Sequence, residues 1–326
     1  MYKTVNLQFF LNSITPEQQL IMVNWKVVLA FGAIYFIWGA TYLAAYFGLD
    51  SIPPYLLSAF RFFSAGIILL GYSCRSSRRL PSWQSLKTNS IAGTLMLVGG
   101  SGSVLWAQQY IGTALAAILV SSLPVWFILL DKKQWRVYAR QPLVIAGILL
   151  GFIGIVLLFG FTARQASVTG NADRRILAII VLLLGCMLWT IGSLYVKYRP
   201  VPEPITTGAG VQLVAAGLVS GCISIAFGET AKFSFSQVSS NAWIGLAYLT
   251  LLGSVIAYRS YVWLLTVRPA AQVGTFAYVN PVIAVILGAL VAHEKIPPIQ
   301  LIALVIILTS IMLINMPAYR SLKARN

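Results

Sequence analysis

The sequence predicts an all-α membrane protein of ten transmembrane helices, arranged as two inverted five-helix repeats around a central cavity. Three observations predict it: a strongly apolar chain, a second half that echoes the first, and basic residues gathered in alternate loops. Of the 326 residues, 59% are hydrophobic and 9% are charged, whereas soluble domains carry about 25% charged residues. Runs such as 143–161 and 176–189 are apolar on all faces, which favours helices over the alternating pattern of barrel strands.

Each predicted helix is an apolar segment near the roughly 20 residues needed to cross a bilayer, bounded by proline or polar breaks. The segments are 26–48, 54–73, 89–108, 113–131, 141–161, 175–197, 205–227, 241–265, 270–292 and 297–316. We expect residues 1–25 to form an N-terminal tail and residues 317–326 to form a basic cytoplasmic tail. The first repeat is predicted to occupy 26–161, and the second 175–316.

The two halves share residues at nearly constant offsets. Paired tryptophans and prolines carry more weight here than Leu, Ile or Ala matches, which are common between apolar segments. The pairs, at offsets of 151 or 157 residues, are Trp38 with Trp189, Trp106 with Trp263, and Pro124 with Pro281. Because five helices per half is an odd number, the second copy must insert in the opposite orientation. Inverted repeats of this kind are typical of secondary transporters, whose substrate sites lie between the repeats.

The basic residues indicate the orientation. With the N-terminus inside the cell, the inner segments hold 16 Lys and Arg and the outer loops hold 5. Cytoplasmic loops are the ones enriched in these residues, so both termini are predicted to be cytoplasmic, in a bacterial inner membrane. This distribution also accounts for the net charge of +16 without a nucleic-acid partner. The three cysteines form no CxxC pair, so neither a metal nor another cofactor is expected.

Several short stretches, in a fixed order over about residues 28–316, resemble the EamA-type exporters of the drug/metabolite transporter superfamily. They are residues 38–42, 61–62, 114–117 with 123–124, 189–193, 253–263, 278–282 and 293–294. The resemblance implies ten helices in two inverted repeats around a cavity, and movement of small metabolites, amino acids or drugs, usually outward. Many members carry Gly-Glu after the fourth and the ninth helix. This chain departs from that pattern, with 131–133 reading Asp-Lys-Lys and 293–294 reading His-Glu.

Polar and aromatic residues inside the predicted helices are the candidates for the cavity. Arg61 lies about seven residues inside the second helix, where an Arg costs roughly 2.5–3.5 kcal/mol on insertion scales. It either faces water and attracts a carboxylate, or snorkels to the outer interface and caps backbone carbonyls. Its counterpart in the second repeat is Gln212.

Aromatic faces in the cavity would suit apolar or cationic ligands. The alternatives are interfacial belts for the tryptophans and bonds to neighbouring helices for the polar residues. The full predicted set is Trp38, Tyr42, Arg61, Trp106, Gln109, Trp189, Ser193, Gln212, Tyr258, Trp263, Tyr278 and Asn280.

Two prolines are candidate hinges. Pro124 and Pro281 each lie about eleven residues into a predicted helix. A proline there removes a backbone hydrogen bond and clashes with the preceding turn, so both helices are predicted to kink. The kinks are either symmetry-related hinges or static bends that improve packing.

The absence of a GxxxxGK[ST] motif argues against an ATP-driven motor. The seven acidic residues fall in tails, loops or helix ends, so no buried-carboxylate proton relay is expected. The sequence predicts a secondary transporter that exports amino acids, related metabolites or drugs by alternating access, as a monomer or weak homo-oligomer. The alternative is a membrane receptor or structural protein. An intramembrane enzyme is disfavoured because the single histidine, His293, lies at a helix end.

Overall fold

The structure is a computed structural model that describes residues 25–77, 81–138, 140–169, 172–268, 270–293 and 296–323. These residues form helices and connections, with no strand among them. The ten longer helices, numbered in chain order, are α1 (Trp25–Leu49), α2 (Pro54–Ser77), α3 (Trp83–Ala107), α4 (Thr113–Leu130), α5 (Pro142–Thr169), α6 (Ala172–Lys197), α7 (Ile205–Ala226), α8 (Ser240–Val267), α9 (Phe276–Leu290) and α10 (Pro298–Lys323). Two short α-helices, Trp135–Tyr138 and Ala270–Val273, precede α5 and α9. Most of the predicted N-terminal tail and the last three residues lie outside the described residues.

Within the described residues, seven helices are long and apolar enough to cross a membrane: α1, α2, α3, α4, α6, α7 and α8. Shorter apolar stretches lie in α5, α9 and α10, at Pro142–Leu157, Val279–Leu290 and Pro298–Ile314. The chain is therefore an all-helical, multi-pass membrane protein, as the composition predicts.

Several helix boundaries differ from the sequence prediction: α2, α5 and α10 end later, α3 begins earlier, and α9 begins at Phe276 rather than 270. Helix α3 begins at Trp83, earlier than predicted, because Ser82 caps it: the Ser82 hydroxyl accepts a hydrogen bond from the Ser85 N–H at 3.2 Å. The polar stretch 163–174 is largely helical, since α5 runs to Thr169 and α6 begins at Ala172. Its Ala, Arg and Gln residues are good helix formers despite their polarity. Polarity alone therefore placed that connection too broadly.

Three helices contain π-helical segments, at Ala33–Ile37 in α1, Thr94–Gly102 in α3 and Leu249–Tyr258 in α8. The wider π-turn changes the i→i+4 bonding pattern and is frequent at functional sites. Side chains reach backbone carbonyls in all three segments; in α3 the Ser103 hydroxyl donates to the Gly100 carbonyl at 2.6 Å. The Asn280 amide nitrogen, in the orientation that satisfies its surroundings, donates to the carbonyls of Ile34 (3.2 Å) and Tyr35 (2.8 Å), and the Ser254 hydroxyl donates to the Leu249 carbonyl at 3.0 Å.

The helices pack in pairs drawn from the two halves of the chain. The most extensive contact joins α2 to α7, followed by α3 with α6 and α5 with α10; α1 packs on α8 and α9, and α4 on α9. Small residues permit the closest approach. A Cβ atom placed on Gly217 in α7 would lie 2.5 Å from the Phe63 backbone nitrogen in α2. Such contacts between small residues replace the hydrophobic driving force that is missing in lipid.

Hydrogen bonds between the connections sort them into two faces of the bundle. The basic face comprises the described parts of four connections: 81–82, 131–138 with 140–141, 198–204 and residue 268. Its bonds run from Tyr198 to Asp131, from Lys197 to the Arg268 carbonyl, and from the Ser82 N–H to Glu203. The opposite face comprises connections 50–53, 108–112 and 227–239. Its bonds run from the Leu56 N–H to Glu229, from Ser239 to Asp50, and from Arg175 to the Tyr110 carbonyl.

Candidate functional site

A cavity of about 760 Å³, part of it open to solvent, lies among α1, α2, α3, α4, α6, α8 and α9. Half of the predicted set lines it: Trp38, Tyr42, Arg61, Trp189, Tyr258 and Asn280. Its other polar or aromatic lining residues are Thr41, Ser101, Gln108, Cys186, Ser254 and Phe276. Of the described residues that line the cavity, none is acidic, and Arg61 is the only cation.

Arg61 is buried, with 7% of its surface exposed, and it points across the bundle from α2 to α8. Its Nε donates to the Ser254 hydroxyl at 2.9 Å. Its guanidinium carbon lies 4.9 Å from the centroid of the Phe62 ring. No acidic side chain among the described residues pairs with it. The structure thus places Arg61 on the cavity wall.

An aromatic cluster forms one wall of the cavity where the two halves meet. The repeat-related rings of Trp38 and Trp189 are in edge contact at 5.7 Å, and Phe276 meets Trp38 at 5.1 Å. The indole N–H of Trp38 donates to the Gly253 carbonyl at 3.0 Å, and that of Trp189 donates to the Tyr261 hydroxyl at 3.0 Å. With both N–H groups paired to protein, the indole rings offer their faces and edges to a ligand.

Gln212 does not line the cavity; it supports a residue that does. The Tyr258 hydroxyl donates to the Gln212 side-chain oxygen at 2.5 Å, and the Gln212 nitrogen donates to Asn89 at 2.6 Å. Asn89 in turn donates to the Ser85 carbonyl at 3.0 Å. Because a carbonyl can only accept, it orients every bond in the chain. Arg61 and Gln212 match in the repeat, yet they have different surroundings.

The remaining predicted residues lie elsewhere. Ser193 is buried behind the aromatic cluster, 2.8 Å from the Tyr261 hydroxyl. Trp106 packs on Tyr110 at 5.0 Å, and Trp263 packs half-buried against the main core. The side chain of Tyr278 lies outside those described. The distance of a residue from the end of its predicted helix could not distinguish these positions from the cavity wall, because it does not tell which way the side chain points.

Gln109 is exposed and lines a second cavity of about 1290 Å³, open to solvent at the opposite face. This vestibule also includes Asp50, Thr113 and Asn241. Gln108 lines both spaces, and its nitrogen donates to the Tyr42 carbonyl at 3.2 Å. Its side-chain oxygen is buried and has no partner among the described residues. Gln108 therefore stands at the boundary between the central cavity and the vestibule.

The two prolines have different settings. Helix α4 is interrupted at 121–122, and Pro124 lies in the first turn of its second half. Pro281 lies inside the continuous helix Phe276–Leu290, and the break in this region falls at 274–275. The interruption of α4 fits the missing N–H and the steric clash of a proline one turn downstream. Pro281 lies a full turn and more beyond its break, so the two interruptions are not equivalent in position.

Several lining residues, Ser254, Cys186 and Phe276 among them, are not in the set predicted from the sequence. Ser254 stands beside Gly253 in one of the stretches quoted for the resemblance, which was its one available signal. Cys186 is buried and also borders the cavity. No group of three His, Cys, Asp or Glu among the described residues could hold a metal ion.

The sequence model of the EamA-like transporter family matches residues 24–160 and again residues 176–316. The chain belongs to the EamA-like transporter family. It is accordingly a membrane transporter of the drug/metabolite transporter superfamily.

Of three relatives of this EamA-family chain, two are named as transporters. The uncharacterized inner membrane transporter YedA of Escherichia coli K12 is 31% identical over 288 residues, covering 88% of this chain and 90% of YedA. The uncharacterized transporter YoaV of Bacillus subtilis is 23% identical, covering 83% and 90%. The chloroplastic WAT1-related protein At3g02690 of Arabidopsis thaliana is 24% identical, covering 90% and 70%. A crystal structure with 18% identity superposes with a TM-score of 0.64, covering 90% of this chain and 98% of the other, so the fold is shared.

Proposed function

We propose that this EamA-family protein exports small solutes that carry a carboxylate, such as amino acids or related metabolites, by alternating access. The observation that carries the proposal is Arg61, a buried cation on the cavity wall without an acidic partner among the described residues. A buried charge without a counter-ion is unfavourable, and a guanidinium pairs well with a carboxylate. Cationic drugs fit this site less well than anionic or neutral ones, because Arg61 repels them.

The proposed architecture is ten transmembrane helices in two inverted repeats, 26–161 and 175–316. The packing pattern supports it. In a five-helix repeat, each helix corresponds to the helix five positions away, so that α1 corresponds to α6 and α3 to α8. The α1–α8 contact then corresponds to the α6–α3 contact, which is also present. The α2–α7, α4–α9 and α5–α10 contacts each correspond to themselves. The capping residues Ser82 and Ser239, 157 positions apart, each accept a bond at the start of equivalent helices, but on different faces of the bundle. Equivalent ends on different faces are what an inverted repeat requires.

The basic face is proposed to be cytoplasmic, with both termini inside the cell and the protein in a bacterial inner membrane. The excess of Lys and Arg in that face supports the orientation. The relative YedA is named as an inner membrane transporter, which supports this location. The monomer or a weak homo-oligomer is proposed as the working unit.

The alternating-access proposal rests on an asymmetry between the two faces. On the basic face, the Tyr198–Asp131 bond and the Lys197 bonds to the carbonyls of Leu265 and Arg268 tie helix ends together. Toward the opposite face, Gln108 borders both the cavity and the vestibule. This arrangement corresponds to a state closed to the cytoplasm. Pro124 and Pro281 are proposed as the hinges that allow the other state to form.

We further propose facilitated diffusion or exchange as the driving mode, without ATP and without catalysis. The lack of a P-loop motif in the sequence and of acidic residues among the described cavity lining supports this. Transport in proteoliposomes should proceed without an imposed pH gradient. Transport that occurs strictly when a pH gradient is imposed, with matching proton flux, would contradict this mode.

The function is tested in inverted membrane vesicles and proteoliposomes with a panel of radiolabelled amino acids, organic acids and quaternary ammonium cations. Arg61→Ala should lower carboxylate flux by about 10–100-fold, the size expected for one charge-assisted bond. It should raise any cation flux, because it removes the charge that repels cations. Arg259→Ala is the matched control, because Arg259 is exposed and its Nε donates to Thr206 at 2.8 Å. Equal carboxylate flux in the two variants would remove Arg61 from the site. No flux of any panel member in the wild type would contradict the proposal as a whole.

A further inference from the structure

The contact between Arg61 and Ser254 has a fixed direction. The Ser254 hydroxyl donates to the Leu249 carbonyl at 3.0 Å, so its oxygen is free to accept from the Arg61 Nε at 2.9 Å. The Leu249 carbonyl opens the π-helical segment of α8, five residues before Ser254. The unusual turn therefore provides the acceptor that orients the serine, and the serine holds the arginine by its inner nitrogen.

The bond from the Arg61 Nε to Ser254 leaves the two terminal nitrogens of Arg61, Nη1 and Nη2, available to a ligand. They have no hydrogen-bond partner among the described residues, and they are not sealed from the cavity. Gly253 makes room for them, since a Cβ atom there would lie 3.2 Å from Nη2. The Gly253 carbonyl is occupied by the Trp38 indole N–H at 3.0 Å, so it does not compete for the guanidinium. The two terminal N–H groups match the two oxygens of one carboxylate.

The rest of the cavity offers no place for a second negative charge. Arg61 is the only cation among the described lining residues, and the nearby wall is formed by the rings of Trp38, Trp189 and Phe276. A second carboxylate of the solute would lie against aromatic or neutral groups, and burying an unpaired charge is strongly unfavourable.

We propose that Ser254 is the positioning residue that presents the terminal nitrogens of Arg61 to the solute, and that the site takes monocarboxylates in preference to dicarboxylates. This inference rests on the proposed function and names the substrate class of the same cavity. Ser254 acts through Arg61 and does not itself bind the solute.

The variants are Ser254→Ala, Ser254→Thr and the control Ser260→Ala. Ser260 is on the same helix, and its hydroxyl donates to the Ile256 carbonyl at 2.8 Å, away from Arg61. The probes are glutamine and glutamate, which differ by one carboxylate, together with leucine and phenylalanine. Proteoliposome counterflow gives KM and maximal rate, each normalised to the amount of folded protein reconstituted.

In the wild type, glutamine, leucine and phenylalanine should each be taken with a KM about tenfold below that of glutamate. Ser254→Ala should raise the KM for these three about tenfold with a maximal rate within about twofold of wild type, and Ser254→Thr should restore the KM. In an Arg61→Ala background, Ser254→Ala should have no further effect, because the two residues act as one unit.

The outcomes separate the inference from the function beneath it. Monocarboxylate transport that depends on Arg61 but is equal in Ser254→Ala and Ser260→Ala would overturn the positioning role and leave the proposed function standing. Equal KM values for glutamine and glutamate would overturn the monocarboxylate preference. A lower maximal rate together with a raised KM for every probe, not rescued by threonine, would assign Ser254 a structural role. Absence of any carboxylate transport in the wild type would contradict the proposed function itself.

Discussion

Tyr198 donates its hydroxyl proton to the carboxylate of Asp131, with distances of 2.8 and 3.0 Å to the two oxygens. The bond joins the end of α6 to the end of α4 on the basic face. The ammonium nitrogen of Lys133 lies 4.0 Å from the centroid of the Tyr198 ring. Asp131 is 5% exposed, so breaking the contact would leave a buried carboxylate short of a donor. We expect this contact to help to keep the cavity closed toward the cytoplasm.

Removal of that carboxylate should open the basic face. Cys186 borders the cavity and is a native reporter of access. In a Cys74→Ala, Cys222→Ala background, Asp131→Ala should raise the rate of Cys186 labelling by an impermeant thiol reagent from the basic face. We expect a rise of about tenfold, the effect of losing one charge-assisted bond. Asp173→Ala, an exposed acid at the start of α6, is the control. Equal labelling rates in the two variants would show that Asp131 does not close the cavity.

The same contact predicts a loss of stability at high pH. Burial, together with the bond to Asp131, raises the pKa of Tyr198 to about 12 from its usual 10.0. The folded state therefore favours the neutral hydroxyl, and this stabilisation is complete below pH 10 and is lost as the pH rises through about 12. The melting temperature of the wild type should fall more steeply over this window than that of Tyr198→Phe. Burial also raises the pKa of Tyr138 to about 12, and both proteins share that residue. If the melting temperatures of the wild type and Tyr198→Phe fall in parallel as the pH rises, the prediction is wrong.

The α2–α7 contact predicts a difference between two glycines that the sequence presents as one GxxxG motif. At Gly217 an added Cβ atom would lie 2.5 Å from the Phe63 backbone nitrogen, whereas at Gly221 the nearest atom is 3.8 Å away. Gly217→Ala should lower the free energy of unfolding by about 1–3 kcal/mol through overpacking, and Gly221→Ala should leave it nearly unchanged. Denaturant titration of the detergent-solubilised protein measures both. Equal stability of the two variants would indicate that the helices separate without loss.

The side-chain amide of Asn280, which the sequence predicts to contact solute, is expected instead to stabilise the fold. Its nitrogen donates to the carbonyls of Ile34, Tyr35 and Phe276 at 3.2, 2.8 and 3.1 Å, which joins α9 to the π-segment of α1. Asn280→Leu should lower the free energy of unfolding by about 1–3 kcal/mol, because buried carbonyls lose their donor. Thermal unfolding of the detergent-solubilised protein measures this loss as a lower melting temperature. Asn241→Leu, at an exposed position early in α8, is the control. An unchanged melting temperature for Asn280→Leu would argue against this role.

Much of the fold was predictable from the sequence because each piece of evidence was local. Apolar runs of membrane length, broken by proline or polar stretches, predict helices in lipid, where the backbone must satisfy its own hydrogen bonds. The matched pair Trp38 and Trp189 also pointed to a meeting place of the two halves, and the structure brings these rings into edge contact. Errors arose where local rules compete: Ser82 extends α3 upstream, and polar helix formers close the gap between α5 and α6.

The lining of the cavity could be predicted less completely. Arg61 and Gln212 are equivalent by sequence offset, yet one faces the cavity and the other is enclosed between Asn89 and Tyr258. Trp106 and Gln109 lie near the predicted depth but turn toward other surroundings. Successive residues on a helix point in directions about a quarter turn or more apart. An error of a few residues in aligning a helix therefore changes which side chains are assigned to the cavity.

The sequence by itself determined that this is a helical, duplicated membrane protein of a transporter family, since hydropathy, repeat offsets and motif order are all written along the chain. Only the tertiary structure decided that Arg61 is held by Ser254, 193 residues away, that Asp131 closes on Tyr198, and that Gln108 divides the cavity from the vestibule. The physical reason is that these contacts join helices distant in sequence. Their partners are selected by helix rotation and close backbone packing, neither of which leaves a local pattern.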